Sequence, residues 1–306
     1  MNCRVCGRAT RFAFSQRGYR ILECPHCLHR MAGIQSIEVG QLYSDDYFFG
    51  GKGEYADYLA EKSLLVGRGA YYSDVVSRFI EKPGKMLDIG SAAGFLLKGF
   101  VDGGWQGTGV EPNEKMADYG RIHLGLKIYS GTIESFASRC QEEKYDLISL
   151  IQVIAHFLDP ERALRSCAGL LCSGGYLLIE TWDWRSMTAK LFGRRWHEYN
   201  PPYVLQFFSR TSLGYLMSKV GFRRCAEGRP NRRILGQHAK FLIQKKLAAQ
   251  SRIQTIGKLT DPPAPSQTPA SGLSKKGSQH GRIENLTLPE DLQGFPWRRW
   301  LPGAHH

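Results

Sequence analysis

The sequence lacks the two features that mark membrane and secreted proteins. No stretch approaches the roughly 20 consecutive apolar residues of a membrane span. The first residues, MNCRVCGRAT, contain no apolar core of a secretory signal. Both absences predict a cytoplasmic protein with no membrane partner. Thiols stay reduced in that compartment, so the eight cysteines are predicted to be metal ligands or buried thiols and not disulfides.

Acidic residues are scarce relative to basic ones. The chain has 28 Asp and Glu against 41 Lys and Arg, which gives a formal net charge of +13. The excess is local, because residues 185–246 contain 14 of the basic residues and 2 of the acidic ones. Such a stretch favours an anionic partner, either a phosphate-bearing small molecule or nucleic acid. A basic surface that serves only solubility is the alternative.

Composition divides the chain into four segments. It predicts a zinc ribbon over residues 1–32, a helical linker or cap over 33–80, an α/β domain over 81–246 and a tail over 247–306. The tail includes DPPAPSQTPASGLSKKGSQHG, which is too polar to build a core, so disorder is predicted there.

Short apolar runs alternate with amphipathic stretches in the third segment, a pattern typical of strands and helices in turn. Such an alternation predicts a mostly parallel sheet that binds ligands beyond the carboxyl ends of its strands. The predicted helices are Phe95–Gly103, Glu114–Leu124 and Pro160–Leu171. The predicted strands are Lys85–Ile89, Gly107–Val110, Leu126–Tyr129, Tyr145–Leu150, Gly175–Glu180, Phe222–Glu227 and Ala239–Gln244.

Two cysteine pairs stand out near the start of the chain. Cys3-x2-Cys6 is followed after 17 residues by Cys24-x2-Cys27, a spacing typical of a structural zinc site. Four thiolates close a tetrahedron, so the zinc is predicted to stabilise the fold and not to take part in catalysis. Two nearby histidines, His26 and His29, are predicted to lie at the surface and not to bind the metal. The other four cysteines are predicted to be buried thiols: Cys140, Cys167, Cys172 and Cys225.

The segment KMLDIGSAAG, residues 85–94, has the pattern of a strand, a turn and the start of a helix. Asp88 ends the strand, Gly90 permits a tight turn, and Gly94 allows close packing where the helix begins. The helix N-terminus offers unpaired amides to a polar or anionic ligand. Glu111, at the end of the next strand, is placed to accept hydrogen bonds from a ribose diol. These residues predict a nucleotide-like ligand.

The Asp-x-Gly spacing of this turn resembles the first motif of the class I S-adenosylmethionine (SAM)-dependent methyltransferases. Their D-x-G-x-G-x-G corresponds to DIGSAAG, with Ala92 replacing the middle glycine. YDLISLIQVIAHFLDP, residues 145–160, resembles their fourth-strand motif, with Gln152 where Asp is common and Ala155 where Glu is usual. Residues 170–180 resemble the helix, glycine pair and strand that follow in the family. Residues 196–209 and 213–222 resemble the late region of a zinc-ribbon subgroup that acts on small molecules. The resemblance implies a Rossmann-like seven-stranded sheet whose last strand is antiparallel.

The resemblance also implies which residues hold SAM. Thr132 and Ile133 would border the adenine, and Gln152 would lie near the methionine portion. Tyr47 would pack over the cofactor, although anchoring a helix is an equal alternative. The implied SAM-binding residues are Asp88, Gly90, Ser91, Ala92, Gly94, Glu111, Pro112, Thr132, Ile133, Gln152 and Tyr47.

No residue pattern identifies a catalytic base. SAM is already activated, so transfer depends mainly on alignment, and a base is needed only where the acceptor must lose a proton. The candidates are His156 after the fourth strand and His197 and Tyr199 in the following insertion, each with a structural role as its alternative. The sequence NPPY at 200–203 matches a motif of amino-group methyltransferases. It follows the fifth strand instead of the fourth, so a proline-rich turn is favoured.

Three functions fit these observations. The first is a methyltransferase acting on a small molecule, such as a sugar, nucleotide-sugar or natural-product intermediate whose phosphate binds the basic stretch. The second is an RNA methyltransferase that uses the zinc ribbon and the same stretch. The third is a non-catalytic protein of the same fold, to which only Ala92 and Ala155 point. The acceptor atom and the oligomeric state are not predicted.

Overall fold

The computed structural model describes residues 1–49 and 57–229, and the strands in this part form two sheets. The smaller sheet is antiparallel and contains, in spatial order, β1 (Arg11–Gln16), β2 (Tyr19–Glu23), β3 (Arg30–Ala32) and β9 (Gln206–Phe207). The larger sheet is parallel and contains, in spatial order, β6 (Lys127–Ser130), β5 (Gln106–Glu111), β4 (Lys85–Ile89), β7 (Tyr145–Ile151) and β8 (Leu171–Glu180).

Helices connect these strands. The α-helices are α1 (Val39–Leu42), α2 (Asp45–Phe48), α3 (Lys62–Val76), α4 (Phe95–Asp102), α5 (Glu114–Leu124), α6 (Ile133–Arg139), α7 (Pro160–Leu170), α8 (Met187–Phe192) and α9 (Arg210–Val220). Short 3-10 turns occupy Leu59–Glu61, Ile154–His156 and Gly193–Arg195. Within the described ranges, no helix is both long and apolar enough to cross a bilayer.

The parallel sheet confirms the five strands predicted between residues 85 and 180, and α4, α5 and α7 confirm the three predicted helices to within one residue. The chain runs outward from β4 to β5 and β6, then returns to place β7 on the other side of β4. The strand order therefore reverses between β4 and β7, where Asp88 lies beside Ser149. Such a reversal opens a crevice at the carboxyl ends of the strands, and ligands bind there.

The sixth predicted strand is wrong. Phe222–Glu227 pairs with no strand in the part of the chain that the structure describes, and residues 223–229 are exposed to solvent. Arg223 and Arg224 interrupt its apolar residues, Phe222, Cys225 and Ala226, so the segment has no continuous apolar face to bury against a neighbour. The seventh predicted strand, Ala239–Gln244, and the predicted disordered tail lie outside the described residues. The described part of the parallel sheet thus has five strands, and the implied count of seven is not reached within it.

Helices cover both faces of the parallel sheet, which explains why its strands read as continuous apolar runs. Met86 and Phe100 belong to the core on the face covered by α3, α4 and α5. Leu87, Ile148 and Leu164 belong to the core on the face covered by α6, α7 and α9. Three of the four N-terminal cysteines lie in this second core. The N-terminal segment therefore shares its apolar interior with the larger sheet.

The smaller sheet joins the N-terminal segment to a strand near residue 206. Met31 of β3 pairs with Gln206 of β9, and Arg30 pairs with Phe207. The backbone amide of Ala32 also donates to the carbonyl of Leu205 at 2.8 Å. These bonds satisfy the outer edge of β3, so the hairpin formed by β1 and β2 is completed by residues that follow the larger sheet.

Helices α3 and α4 cross at two glycines. A Cβ atom added at Gly69 would fall inside the van der Waals radius of the Leu96 carbonyl oxygen, and one at Gly99 would meet the carbonyl of Val66 in the same way. Backbone atoms cannot move aside as a flexible side chain can, so these two positions require the absence of a side chain. This close approach holds α3 over the sheet.

We predict opposite effects for two alanine substitutions in α3. Gly69→Ala should lower the free energy of unfolding by about 1–3 kcal/mol, because it forces the two helices apart. Gly67→Ala, two residues away with nothing within 4 Å of the added Cβ, should raise it by about 0.5–1 kcal/mol through helix propensity. Urea unfolding of both variants measures the effect. Equal stability of the two variants would contradict the packing described.

Candidate active site and metal centre

The turn after β4 has a tightly specified backbone. The amides of Gly90 and Ser91 both donate to the carbonyl of Val110, at 2.8 and 3.2 Å, and the amide of Gly94 donates to the carbonyl of Ser91 at 2.8 Å. Gly90 and Gly94 have φ angles of +68° and +79°, a region that glycine enters without steric cost. The amino end of α4 consequently faces the crevice at the carboxyl edge of the sheet.

Ala92 adopts a left-handed conformation with φ +48°, which costs a residue with a Cβ roughly 1–2 kcal/mol. A hydrogen bond helps to hold it there, because its amide donates to the Glu111 carboxylate at 2.8 Å. The amide of Asn113 donates to the other oxygen of the same carboxylate at 2.8 Å. Glu111 therefore connects the ends of β4 and β5.

Two buried carboxyl groups lie at this edge. Burial raises the pKa of Asp88 to about 7. A hydrogen bond from the Ser149 hydroxyl at 2.6 Å lowers the same pKa but does not offset the burial. Burial likewise raises the pKa of Glu111 to about 7. Asp88 Oδ2 and the Ser91 hydroxyl are buried and have no hydrogen-bond partner among the described residues. Buried polar atoms are normally paired, so these fit a polar ligand at the turn.

The other residues predicted to hold SAM follow the neighbouring strands along the same edge. Thr132 caps α6 by accepting a hydrogen bond from the Ser135 amide at 3.3 Å, and Ile133 is buried. Gln152 follows β7 with φ +63°, and its side-chain amide donates to Glu180 Oε1 at 2.9 Å. The structure thus brings the predicted residues to the carboxyl ends of adjacent strands. Their roles in binding SAM stay predictions.

Aromatic side chains surround His156, which follows β7. The ring of Tyr43 lies 5.5 Å from the imidazole and 5.2 Å from the ring of Tyr47, and the ring of Tyr203 lies 5.3 Å from that of Tyr47. Tyr47 is buried in a cluster that also contains Ala92 of the turn. The aromatic group is therefore continuous with the turn after β4.

Hydrogen bonds determine the tautomer of His156. Its Nδ1 lies 2.8 Å from the carbonyl oxygen of Tyr203, which can only accept, so Nδ1 carries the proton. The Tyr43 hydroxyl donates to the same carbonyl at 2.8 Å. In the neutral ring, Nε2 is then the nitrogen that can accept a proton.

His197 and Tyr199 have different surroundings. The ring of His197 is 40% exposed, and its Nε2 lies 2.8 Å from the carboxylate of Glu198. Tyr199 is buried, and its hydroxyl accepts a hydrogen bond from Arg30 at 2.7 Å. Its ring packs edge-on against Phe14. These contacts favour the structural alternative for Tyr199, because an acceptor would have to displace Arg30 to reach its hydroxyl.

The NPPY segment forms a turn that contacts both the N-terminal hairpin and His156. The side-chain oxygen of Asn200 accepts a hydrogen bond from Arg17, and its carbonyl accepts one from the amide of Val204 at 3.0 Å. The carbonyl of Tyr203 holds His156, as described above. Asn200 is thus engaged within the fold, which favours the prediction of a proline-rich turn.

The four N-terminal cysteines converge on one point. The Sγ atoms of Cys3 and Cys27 are 3.6 Å apart, those of Cys6 and Cys24 are 3.5 Å apart, and all four lie within 4.8 Å of one another. A tetrahedral zinc ion with Zn–S bonds of about 2.3 Å requires sulfur atoms about 3.8 Å apart. The thiols therefore fit a single tetrahedral cation.

Two predictions about neighbouring residues are wrong. His29 is buried and not at the surface, because β9 covers it, and its Nε2 donates to Gln206 Oε1 at 2.9 Å. Burial lowers the pKa of His29 to about 4. Cys225 is exposed, since it belongs to the segment that forms no strand. Cys167 is buried as predicted, and Cys140 and Cys172 are half-buried.

Gln206 and Arg68 are site residues that the sequence did not reveal. The side-chain amide of Gln206 donates to the carbonyl of Phe157 at 2.9 Å, so it links His29 to the loop that follows His156. The guanidinium of Arg68, on α3, pairs with Glu180 beside Gln152. Neither residue lies in a recognisable motif, because both act through partners distant in the sequence.

The basic stretch is less uniform in space than in sequence. Arg210 pairs with Glu227 at 3.0 Å, Lys219 pairs with Glu161 at 2.5 Å, and Arg224 pairs with Glu227 at 2.8 Å. Acidic side chains thus neutralise part of the stretch within the described residues. A long continuous basic surface of the kind that grips nucleic acid does not form from these three residues.

Comparison with known proteins places these features in a family context. A family model described as a methyltransferase domain matches residues 66–226, more than half of the 306 residues. Ubiquinone biosynthesis O-methyltransferase from Aromatoleum aromaticum is 27% identical over 182 residues, which cover 58% of this chain and 74% of that enzyme. The enzyme of that name from Stutzerimonas stutzeri is 31% identical over 102 residues. The match covers 32% of this chain and 44% of that enzyme, which is less than half of its length.

A solved structure from Thermotoga maritima is also similar. It is described as a SAM-dependent methyltransferase and possible histamine N-methyltransferase. It is 27% identical, and the match covers 53% of this chain and 74% of that one with a TM-score of 0.41.

The cysteine geometry predicts a defined zinc content. Protein purified under reducing conditions should contain one zinc per chain by elemental analysis, and Cys6→Ser or Cys24→Ser should lose it together with several degrees of thermal midpoint, because metal binding contributes folding energy. Cys225→Ser, an exposed thiol outside the cluster, is the control and should keep both. Full zinc content in Cys24→Ser would contradict the four-thiolate site.

Proposed function

The chain belongs to the class I SAM-dependent methyltransferases, and on that premise we propose that it methylates a hydroxyl group of a small organic molecule. The observation that carries this proposal is His156, held with Nδ1 against the Tyr203 carbonyl beneath aromatic side chains. A neutral imidazole in this tautomer presents Nε2 as a base, which is the group that a hydroxyl acceptor requires and an amine does not. Relatives described as O-methyltransferases support the same acceptor atom.

The turn after β4 would hold the cofactor. SAM supplies an activated methyl group when bound. We infer that the Glu111 carboxylate accepts hydrogen bonds from the ribose diol while keeping its bonds to Ala92 and Asn113. The unpartnered Ser91 hydroxyl and the amides at the start of α4 are available to the rest of the cofactor. Thr132, Ile133 and Gln152 lie at the ends of the adjacent strands, where the adenine and methionine portions would extend.

The acceptor would enter on the side of β7 and β8. Tyr43, Tyr47 and Tyr203 would provide apolar ring surface for a small organic molecule. His156 would take the proton of its hydroxyl as the oxygen attacks the methyl carbon, and the methyl–sulfur bond would break to leave a neutral thioether. Alignment of that oxygen with the methyl group supplies most of the acceleration, and the base adds to it. The ion pairs that neutralise part of the basic stretch weigh against RNA, whose recognition requires a broad basic surface.

We predict that SAM affinity depends on the ionisation of Glu111. Its folded-state pKa of about 7 lies above the ordinary value of 4.5, so protonation is favoured below pH 7 and SAM should bind more tightly as pH rises from 6 to 8. Glu111→Ala should weaken binding at least about 100-fold, through the loss of hydrogen bonds to a charged group. Calorimetric titration at three pH values measures both effects.

Two variants sharpen that test. Glu111→Gln keeps an acceptor oxygen without the charge, so its SAM affinity should be lower than that of the wild type and should vary less with pH, the remaining dependence coming from Asp88. Glu142→Ala, at an exposed site, is the control and should bind as the wild type does. A Glu111→Gln chain that binds SAM normally at pH 8 would show that the ribose is held elsewhere.

We predict that His156→Gln lowers kcat by about 10²–10⁴-fold and leaves the Kd of SAM unchanged, because only proton removal is lost. His123→Gln, on α5, is the matched control. The assay follows label from SAM into a deproteinised small-molecule extract in one tube and into total RNA in another. Label confined to RNA, or full activity of His156→Gln, would overturn the proposal.

A further inference from the structure

The segment of residues 184–197, between β8 and the NPPY turn, exposes both large apolar side chains and basic side chains. Met187 and Leu191 are 85% and 81% exposed, the highest values among the large apolar side chains in the described ranges. Phe192 next to them is 43% exposed. Three of the nine exposed large apolar side chains in the described residues thus lie within six residues. Contiguous exposed apolar surface marks an interaction site.

The geometry of α8 explains this exposure. Met187 and Leu191 are four residues apart, so they lie on one face of the helix, whereas Ala189 lies on the opposite face and is buried. The ends of the segment are anchored, since the indole of Trp184 donates to the carbonyl of Leu28 at 3.0 Å and Trp196 is buried. The apolar face therefore projects from a fixed frame.

Basic residues flank this apolar face along the chain. Residues 184–197 contain Arg185, Lys190, Arg194 and Arg195 and no Asp or Glu, and all four basic residues are exposed. An apolar face flanked by Lys and Arg is the pattern of elements that lie in the interface of an anionic bilayer, with apolar side chains among the acyl chains and cations at the phosphates.

We propose that residues 184–197 dock this protein on the surface of a membrane that contains anionic lipids. A second copy of the segment would bring like charges together. The residues from 230 onward contain more Lys and Arg than Asp and Glu, so they do not complement it either. Nucleic acid would match the charges but would leave Met187 and Leu191 in water. A bilayer accommodates both properties.

This inference is independent of the methyl acceptor. It also revises the expectation of no membrane partner, which rested on the lack of a long apolar run. Such a run is needed to cross a bilayer, whereas an interfacial element needs only a few apolar side chains on one face. The segment begins four residues after β8 ends, so docking would bring the carboxyl edge of the sheet near the membrane.

The test is flotation of the full chain with vesicles of phosphatidylcholine containing 30% phosphatidylglycerol, with pure phosphatidylcholine vesicles as reference. The wild type should bind the anionic vesicles and not the neutral ones. Lys190→Gln/Arg195→Gln should weaken binding about 25-fold, at about fivefold for each charge. Met187→Ser/Leu191→Ser should weaken it at least about tenfold, because the apolar contact is lost.

Matched controls lie elsewhere on the surface. Ile122→Ser removes an apolar side chain that is 73% exposed on α5, and Arg78→Gln/Lys82→Gln removes two exposed charges. Both should bind vesicles as the wild type does. Thermal melting and SAM binding verify that each variant is folded. Should the double serine variant fail to fold, Leu191→Lys replaces it, and this variant should bind less tightly despite its added charge.

Four results would overturn the proposal. The wild type could fail to bind anionic vesicles, or both double variants could bind them normally, which would assign binding to another surface. The double serine variant could bind normally while the double glutamine variant does not, or Leu191→Lys could bind more tightly than the wild type. Either result would indicate a purely electrostatic surface, such as one for RNA. Single-stranded RNA, tested with the same variants, identifies that case directly.

Discussion

Gln206 lies where three parts of the chain meet, and the arrangement of the site depends on its hydrogen bonds. As part of β9, Gln206 completes the smaller sheet beside β3. Its side-chain oxygen accepts a hydrogen bond from His29 Nε2, and its side-chain amide donates one to the carbonyl of Phe157. Its side chain is buried, so leaving any of these groups unpaired would cost about 1–3 kcal/mol. The cysteine cluster and the loop of His156 are thereby held in one framework.

This framework explains why the four-cysteine segment and the methyltransferase fold form one structure. The cysteines are part of the core that covers one face of the parallel sheet, and the NPPY turn contacts Arg17 on one side and His156 on the other. A structural metal would stiffen the hairpin and, through β9, the surroundings of His156. Buried carboxyls at the turn weigh against stability, since Asp88 and Glu111 are both held where burial disfavours their charged forms.

Local patterns predicted much of the fold. The strands between residues 85 and 180 are buried on both faces, so each carries a continuous apolar run that can be recognised without knowledge of its neighbours. The turn from Asp88 to Gly94 and the spacing of the cysteines are equally local. Phe222–Glu227 shows the limit of this reasoning, because a short run with three apolar residues is compatible with a strand only if a partner covers it. No such partner is present among the described residues.

The sequence by itself determined the class of fold, the position of the turn after β4 and the four cysteines of the cluster, because each depends on residues close together in the chain. The tertiary structure decided the burial of His29, the tautomer of His156, the pairing of Arg68 with Glu180 and the exposure of Met187 and Leu191. Each of these depends on a partner, or the lack of a covering element, that no local pattern specifies. Burial and hydrogen bonding are properties of contacts, and contacts between distant residues exist only once the chain has folded.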